Sequence, residues 1–599
     1  MIISDYMSEA NMVVAAARKV DSALPASPDG NPLTAAGPAF EASFLEALEP
    51  ALNDLAKHKI KLAVNAGASD TEGLYKVVID MIEKKGLAAK LKVAWVSGDE
   101  VLPAIASGLK AGSSTFKNIY TGETLDSWSF EPIYAQAYLG GLGIATALTA
   151  GADIVLCGRV SDASPVIGAA YWWHSWQRGE LDKVANAFIA GHLIECSNYV
   201  CGGNFSGFKT LEHLADGWTD IGYPIAEISS TGAVVITKQK SSGGAVTVDT
   251  CTSQLLYEIQ GPHYFNSDVT AVLPEIWFEQ LSTNRVAVHG VKALPPPPTT
   301  KVGITARGGF QAEVHWFLTG LDIPSKARML EAQLRHNLLP YSSKFSLLTF
   351  STLGTPDPNA TSQNAATVVF RVFAQARKIE DLMPQKFLRP VIDNIMQGYP
   401  GATFHLDFRL GLPKPYYEYY VTLLPQSEIR HLVHLPTGIE SATRGSMKEI
   451  EIPPPPLTHA FPTHQPSQPQ TTHLIDLSHF AATCPLPLGT LVHARSGDKG
   501  SDCNCGFWVR NPTEYDWLRS FLSTPTIKLL LADEYDPKRV EIERFELPNA
   551  RAVHFLFRNL LDRGVGATGT VDFLGKNVAE FLRGRVVDIP MQFLHRGKL

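Results

Sequence analysis

A chain of 599 residues with a formal net charge of -7, 45% hydrophobic and 19% charged residues, is too long for one hydrophobic core and too apolar to stay disordered. It also lacks the basic excess that neutralises phosphates, which excludes nucleic acid as a natural partner. Roughly two to four domains are expected, with a small-molecule substrate and, from base rates, assembly as a homo-oligomer.

The first residues, MIISDYMSEANM, have no basic start, apolar stretch and small-residue cleavage site, so no secretory signal is read there. No apolar run approaches membrane-spanning length, and a cytoplasmic protein without membrane contact is expected. The seven cysteines (Cys157, Cys196, Cys201, Cys251, Cys484, Cys503 and Cys505) are odd in number and sparse, which suits reduced thiols better than a disulfide framework.

Along the chain, KLAVNAGASD, KVAWVSGDE and ADIVLCGRVSDAS are apolar runs that end in small or polar residues. Helical stretches, TEGLYKVVIDMIEKKG and EPIYAQAYLGGLGIATALTAG, precede the second and third. That alternation predicts an N-terminal α/β domain over 1–293 with a mostly parallel sheet, whose ligands gather beyond the carboxyl ends of the strands. LPPPPTTK, from Leu294, and IPPPPLTHAFPTHQPSQPQTTH, from Ile452, read as extended linkers, because proline at that density blocks helix and ladder alike. Between them, TKVGITARGG, KFSLLTFSTLG, ATVVFRVFAQ, ATFHLDFRL and YYEYYVTLL surround helical stretches near Ala327 and Asp381 and predict an antiparallel α+β region over 300–451. A linker over 452–473 leads to a smaller α+β module over 474–599, with strands expected in GFWVRNP, VEIERFELPNARAVHFLF and VGATGTVDF. The fold class is thus α/β and α+β, multidomain.

Chemistry-bearing residues fall into three stretches. In CGRVSDAS, from Cys157, Arg159 and Asp162 stand just past a strand and Ser164 opens a helix; a cap with a salt bridge is one reading. The other has Arg159 gripping a carboxylate or phosphate while Asp162 moves a proton, with Asn65, Asp99 and Glu100 nearby. In AGHLIECSNYVCGGNFSGF, from Ala190, His192 and Glu195 are three apart, on one helical face, and can form an acid/base pair or share a metal ion. Cys196 and Cys201 are packing thiols or candidate nucleophiles, and the Gly202, Gly203, Asn204 turn is an oxyanion cradle or a plain loop. HARSGDKGSDCNCG, residues 493–506, offers Arg495, Asp498 and Lys499 as an anion-holding turn; its Cys-x-Cys is tighter than zinc spacing. The run GGLGIAT, from Gly140, lies inside a helix-like stretch and not after a strand, so glycine-mediated helix packing is preferred over a dinucleotide fingerprint. No P-loop, zincin motif or nucleophile elbow occurs.

Together DYMSEANM, AGADIVLCGRVSDAS, AGHLIECSNYVCGGNF, GYPIAEISSTGAVVITK, GGAVTVDTCTSQLLYEI and HARSGDKGSDCNCG with FELPNARAVHFLF resemble, in order and over almost the whole chain, the acyclic terpene utilisation (AtuA) family. The middle portion looks like its fungal branch. The resemblance implies a C-terminal ferredoxin-like module and a part in the breakdown of acyclic terpenoids by way of CoA thioesters, and it leaves the chemical step open. It also leads one to expect a further strand and glycine-rich loop ahead of DYMSEANM, which here begins at Asp5.

The reading is an enzyme acting on a branched or isoprenoid carboxylic acid, or its acyl-CoA, by proton transfer: hydration, dehydration or carbon–carbon cleavage. Asp162, His192, Glu195 and Cys196 are its catalytic candidates. Arg159, Asn65, Asp99, Glu100, Ser164, Gly202, Gly203, Asn204, Arg495, Asp498 and Lys499 are its binding candidates. No metal ligand is assigned and no cofactor is identified; a CoA thioester is a candidate substrate, and a divalent metal is disfavoured but left open. A non-catalytic binding or scaffold subunit and a cysteine-nucleophile hydrolase are the alternatives.

Overall fold

The structure, a computed structural model, describes residues 1–23, 37–112, 114–214, 217–436, 447–480 and 482–594. It divides into two compact units, Met1–Thr305 with Tyr419–Leu599, and Ala306–Glu418. Residues 437–446 of the expected middle region, and 595–599 of the expected C-terminal module, lie outside the described residues. Among the described residues no helix is long and apolar enough to cross a membrane.

In the larger unit, the strands Ile2–Ser4, Leu62–Val64, Ile154–Leu156 and Val93–Ser97 lie side by side in that order, all parallel. The two central ones are buried throughout, which is why they read as unbroken apolar runs. Leu432–Pro436 and Met447–Glu451 add to the far edge as antiparallel strands, so late sequence returns to the N-terminal sheet. The helix Thr71–Lys84 occupies the predicted stretch; the Asp70 carboxylate accepts from the Gly73 amide at 3.2 Å and caps it.

The expected helix across EPIYAQAYLGGLGIATALTAG is instead a strand, Pro132–Ala137, followed by a shorter helix, Leu142–Thr149. The backbone of 132–138 has ladder partners on both sides, with the Ala137 amide donating to Asp99 O and the Tyr138 amide to Lys301 O. Gly141 donates to Asp268 Oδ2 at 2.6 Å, so a carboxylate of the chain already occupies the helix start where a pyrophosphate would sit. A Cβ at Gly141 would lie 2.5 Å from Ser164 O and 2.6 Å from Gly168 N. The glycines serve close packing against the helix Ser164–His174, as the sequence suggested.

Toward the C-terminus, His493–Lys499, Asp502–Trp508, Ala552–Arg558 and Glu541–Leu547 form a four-stranded antiparallel sheet in that order. The helices Pro512–Phe521, Thr524–Leu531 and Asn577–Arg583 contribute to its apolar core, shared by Trp517, Leu518, Phe555 and Phe557. HARSGDKGSDCNCG is therefore a β-hairpin whose two-residue turn uses Gly500 at φ 61°. Cys503 and Cys505, two apart on one strand, face that core as packing residues. VGATGTVDF is not a strand: Asp572 turns the chain to accept from the Lys576 and Asn577 amides at 3.0 and 2.9 Å and so starts the last long helix of the module.

In the smaller unit, Phe345–Leu353, Thr367–Ala376 and the 310–319 part of Thr299–Thr319 make the antiparallel sheet that the sequence predicts. The helix Ile323–Leu338 buries Leu330, Leu334 and Leu338 in a core with Trp316 and Phe370. ATFHLDFRL pairs only at Thr403 and Phe404, because Asp407 turns back to accept from the Arg409 amide at 3.0 Å.

Two glycines of the hairpin seat it on the rest of the larger unit. A Cβ at Gly497 would lie 2.4 Å from the Tyr257 ring, and one at Gly506 2.7 Å from Leu256 Cβ. Gly497→Ala is expected to cost about 1–3 kcal/mol through overpacking and to lower the unfolding midpoint in a thermal melt. A variant that melts with the parent would show that Tyr257 moves aside freely.

Candidate active site

The four parallel strands deliver polar residues at their carboxyl ends, where such sheets form ligand sites. Asp5 follows Ser4, Asn65 follows Val64, Asp99 stands two past Ser97, and Arg159 and Asp162 follow Leu156. Asn65 donates to Asp5 and accepts from the Tyr6 amide at 2.7 Å. Asp99 Oδ2 accepts from the Arg159 amide and from Gln136 Nε2, both at 2.9 Å, and so fixes the loop that carries Arg159. Arg159, 2% exposed, donates to Asp162 Oδ1 at 2.8 Å and stacks 3.8 Å above the Tyr138 ring.

A second group meets this one. The helix Leu181–Ile194 ends with His192 Nδ1 3.2 Å from Glu195 Oε1, both side chains nearly sealed from solvent. His192 Nε2 faces the Leu255 carbonyl at 3.3 Å, which only accepts, so that nitrogen carries the proton. Just past the helix Val248–Leu255 stands Glu258, and Lys499, from the C-terminal hairpin, lies 2.5 Å from its Oε2 and 3.7 Å from Asp162 Oδ2. Asn504 of the same hairpin accepts from the Glu258 amide at 2.9 Å and donates to Leu256 O at 2.6 Å, clamping the turn. Carboxylate oxygens of Asp162, Glu195 and Glu258 all come within 4.8 Å of one another.

These groups have divergent acidities. Burial pushes Asp162 up, but the Arg159, Lys499 and Lys301 cations outweigh it and hold the carboxyl down at about 2. Burial pushes Glu195 up against the pull of His192, and burial together with the Asp162 charge lifts Asp5 to about 7. A carboxyl held low beside carboxyls pushed up is the pattern that acid/base sites exploit.

Beside them opens a cavity of about 280 Å³. Phe188, Tyr264, Phe265 and Phe461 give it apolar walls, while Asp162, Glu258, Lys301 and Lys499 give it a charged one. Both proline-rich segments belong to the wall: Pro297, Pro298, Thr299 and Thr300 from the first, and 460–463 with Gln465 from the second. The second is tied down by the His459 amide on Pro296 O and by Gln465, which accepts from the His263 amide at 2.7 Å and donates to His263 O at 2.9 Å.

The profile of the acyclic terpene utilisation family protein AtuA matches residues 1–435, and that of the AtuA ferredoxin-like domain matches 486–588. The chain belongs to the AtuA family. Comparison with curated proteins and with solved structures finds no match.

Of the residues that the sequence singles out in this AtuA-family chain, Asp162 and Lys499 line the cavity. Arg159, His192, Glu195, Asp99 and Asn65 stand behind that wall as its support. Ser164 is buried, donating to Leu139 O at 3.1 Å. Asp498 is buried next to Lys499 and away from the wall, with burial and then Glu258 pushing its carboxyl well up. Glu100 is exposed and bridges Gln136 through its backbone.

Several expected roles are overturned. Gly202 and Gly203 cannot cradle an oxyanion, since their amides donate to Tyr199 O and Asn198 O inside the turn. Asn204 receives Arg495 Nη1 on its carbonyl at 2.9 Å, and the Arg495 guanidinium lies over both the Tyr199 and Tyr257 rings at 4.4 and 4.3 Å, rings that themselves meet edge-on at 5.6 Å, a cluster outside the cavity lining. Arg159 does not line the cavity: its Nη1 donates to Asp162, its guanidinium stacks on Tyr138, and its buried Nε has no hydrogen-bond partner among the described residues, while the cations of the cavity wall are Lys301, Lys499 and Arg558, the last held by Glu543 and Asp502. Cys196 is exposed as a residue, but burial of its thiol, and then the carboxylates of Glu195, Glu258, Asp5 and Asp162, push the thiol well above its ordinary value, the reverse of an activated nucleophile. Cys201 is a buried core thiol.

Asp5, Glu258, Tyr264, Lys301 and Phe461 were not singled out from sequence. For Asp5 a signal existed: an acid directly after the first apolar run of a parallel sheet. The elevated Asp5 carboxyl has a thermodynamic consequence. The folded chain binds this proton more tightly than the unfolded one, so the stabilisation is full below about 3.8 and is lost as pH rises through about 7. Asp5→Asn is therefore expected to gain stability over the parent progressively between pH 5 and pH 8 in melts across that range; a gap independent of pH would contradict it.

Proposed function

We propose that this AtuA-family chain is an enzyme of acyclic terpenoid breakdown that binds an isoprenoid carboxylic acid, or its CoA thioester, and performs a proton-transfer reaction on it, a hydration, dehydration or carbon–carbon cleavage. The observation that carries the reading is the two-faced cavity, with aromatic walls matched to a branched hydrocarbon and an Asp162, Glu258, Lys499, Lys301 wall matched to an anionic or carbonyl head. Such pockets bury apolar surface for affinity and orient the ligand with a few polar groups.

In this reading Lys499 and Lys301 hold the head group. Lys499 is the stronger candidate, because it exchanges a contact with Glu258 for one with the ligand. Asp162, ionised and facing the cavity, takes up or returns the substrate proton through the cavity wall. Glu195 behind it, its carboxyl pushed up by burial, and His192, oriented by the Leu255 carbonyl, restore its charge state. Tyr264 packs edge-on against His192 at 4.9 Å between ring centres and separates this pair from the ligand.

A graded set of isoprenoid acids and their CoA thioesters should raise the unfolding midpoint in a concentration-dependent way. Lys499→Met should weaken binding by roughly tenfold or more, the worth of a charge-assisted hydrogen bond. Asp162→Asn should lower kcat by about 10²–10⁴-fold with little change in KM. Absence of any ligand-dependent shift in a cooperatively melting protein would sink the enzyme reading and favour a scaffold.

A further inference from the structure

Around Asp162 the acids outnumber the cations. Asp5, Asp162, Glu195 and Glu258 converge from four separate segments, whereas Arg159 and Lys499 are the cations in direct contact with them. Arg159 is committed to Asp162, and Lys499 to Glu258. Glu195 has a side chain only 3% exposed; Oε1 faces His192 Nδ1 at 3.2 Å, and Oε2, buried, has no hydrogen-bond partner among the described residues. Leaving a buried carboxylate without donors is costly, and chains keep such a group where something else binds it. Its oxygens face those of Asp162 and Glu258 within 4.8 Å. Oxygens around a hard divalent ion stand roughly 3–5 Å apart, adjacent ones closer than opposite ones, a spacing compatible with one ion between the three side chains.

We propose that Asp162, Glu195 and Glu258 form a binding site for one hard divalent cation of the Mg²⁺ or Mn²⁺ class, in the charged wall of the cavity. All three ligands are carboxylate oxygens, which suit Mg²⁺, Mn²⁺ or Ca²⁺ over softer ions. Lys499 reaches this place on a flexible four-carbon stem and also lines the cavity. On ion binding it leaves Glu258 and turns into the cavity, where its ammonium meets a ligand's anionic group beside the metal. Lys499 is thus a tethered competitor of the ion and its partner in holding substrate. The exposed trio His464, Glu541 and Glu543 offers a rival site, but Glu543 is already committed to Arg558 through two contacts of 3.0 Å.

The test uses the full chain and Mn²⁺ alone, read by loss of the free-ion paramagnetic resonance signal, so its result is independent of whether the terpenoid reading holds. One saturable Mn²⁺ per chain is expected, weakened at least tenfold by Glu195→Gln and tightened severalfold by Lys499→Met. Gln keeps the volume of Glu195 and can still face His192 Nδ1, so the variant should fold; if it does not, Glu258→Gln made together with Lys499→Met, which removes the buried ion pair as a unit, replaces it and should bind Mn²⁺ at least tenfold more weakly than Lys499→Met alone. The proposal is overturned by absence of saturable Mn²⁺ binding, by affinity unchanged in the Glu195 or Glu258 variant, or by affinity lost instead in Glu541→Gln.

Discussion

Moving an ammonium from water to a site only 18% exposed carries a penalty of several kcal/mol unless opposite charges receive it. Lys499 meets that condition only where Glu258 and Asp162 come together, which requires the parallel sheet, the helix Val248–Leu255 and the C-terminal hairpin to be assembled at once. Conversely, Asp162 stays ionised because Arg159 and Lys499 flank it. Docking of the C-terminal sheet and formation of the charged wall are therefore one event. The surrounding details serve it: Gly497 and Gly506 let the hairpin approach Tyr257 and Leu256, and Asn504 holds the turn that presents Glu258.

The sheet was legible in the sequence because buried parallel strands leave a plain mark, short apolar runs closed by polar residues, and the helix over Thr71–Lys84 lies in the stretch read as helical between two of them. What misled was local ambiguity. PIYAQA has the apolar content of a helix or a strand, and only its partners at Asp99 and Lys301, distant in sequence, decide between them. VGATGTVDF has strand-forming residues, but Asp572 finds helix amides to accept from, a choice invisible without the fold.

Within the site, the pairing of His192 with Glu195 followed from helical spacing, and that of Arg159 with Asp162 from proximity in one loop. Asp162 and Lys499 were found, but their contact spans more than three hundred residues and has no local signature. Glu258 and Phe461 were hidden for the same reason. The glycine-rich turn at Gly202 misled because composition reports how freely a backbone bends and not where its amides end up. The proline segments misled most. Density of proline argues against regular structure, and that was right, yet both segments are ordered and form walls.

Those walls have a further consequence. Proline narrows the conformations open to a chain before it folds as well as after, so these segments lose less freedom on becoming ordered than ordinary loops of equal length would. A binding surface assembled from such chain is stiff in advance of any ligand, and little of the affinity is then consumed in arranging it. At the wall formed by Pro297, Pro298, Phe461 and Pro462, the shape of the cavity is therefore set by the chain itself before any ligand arrives.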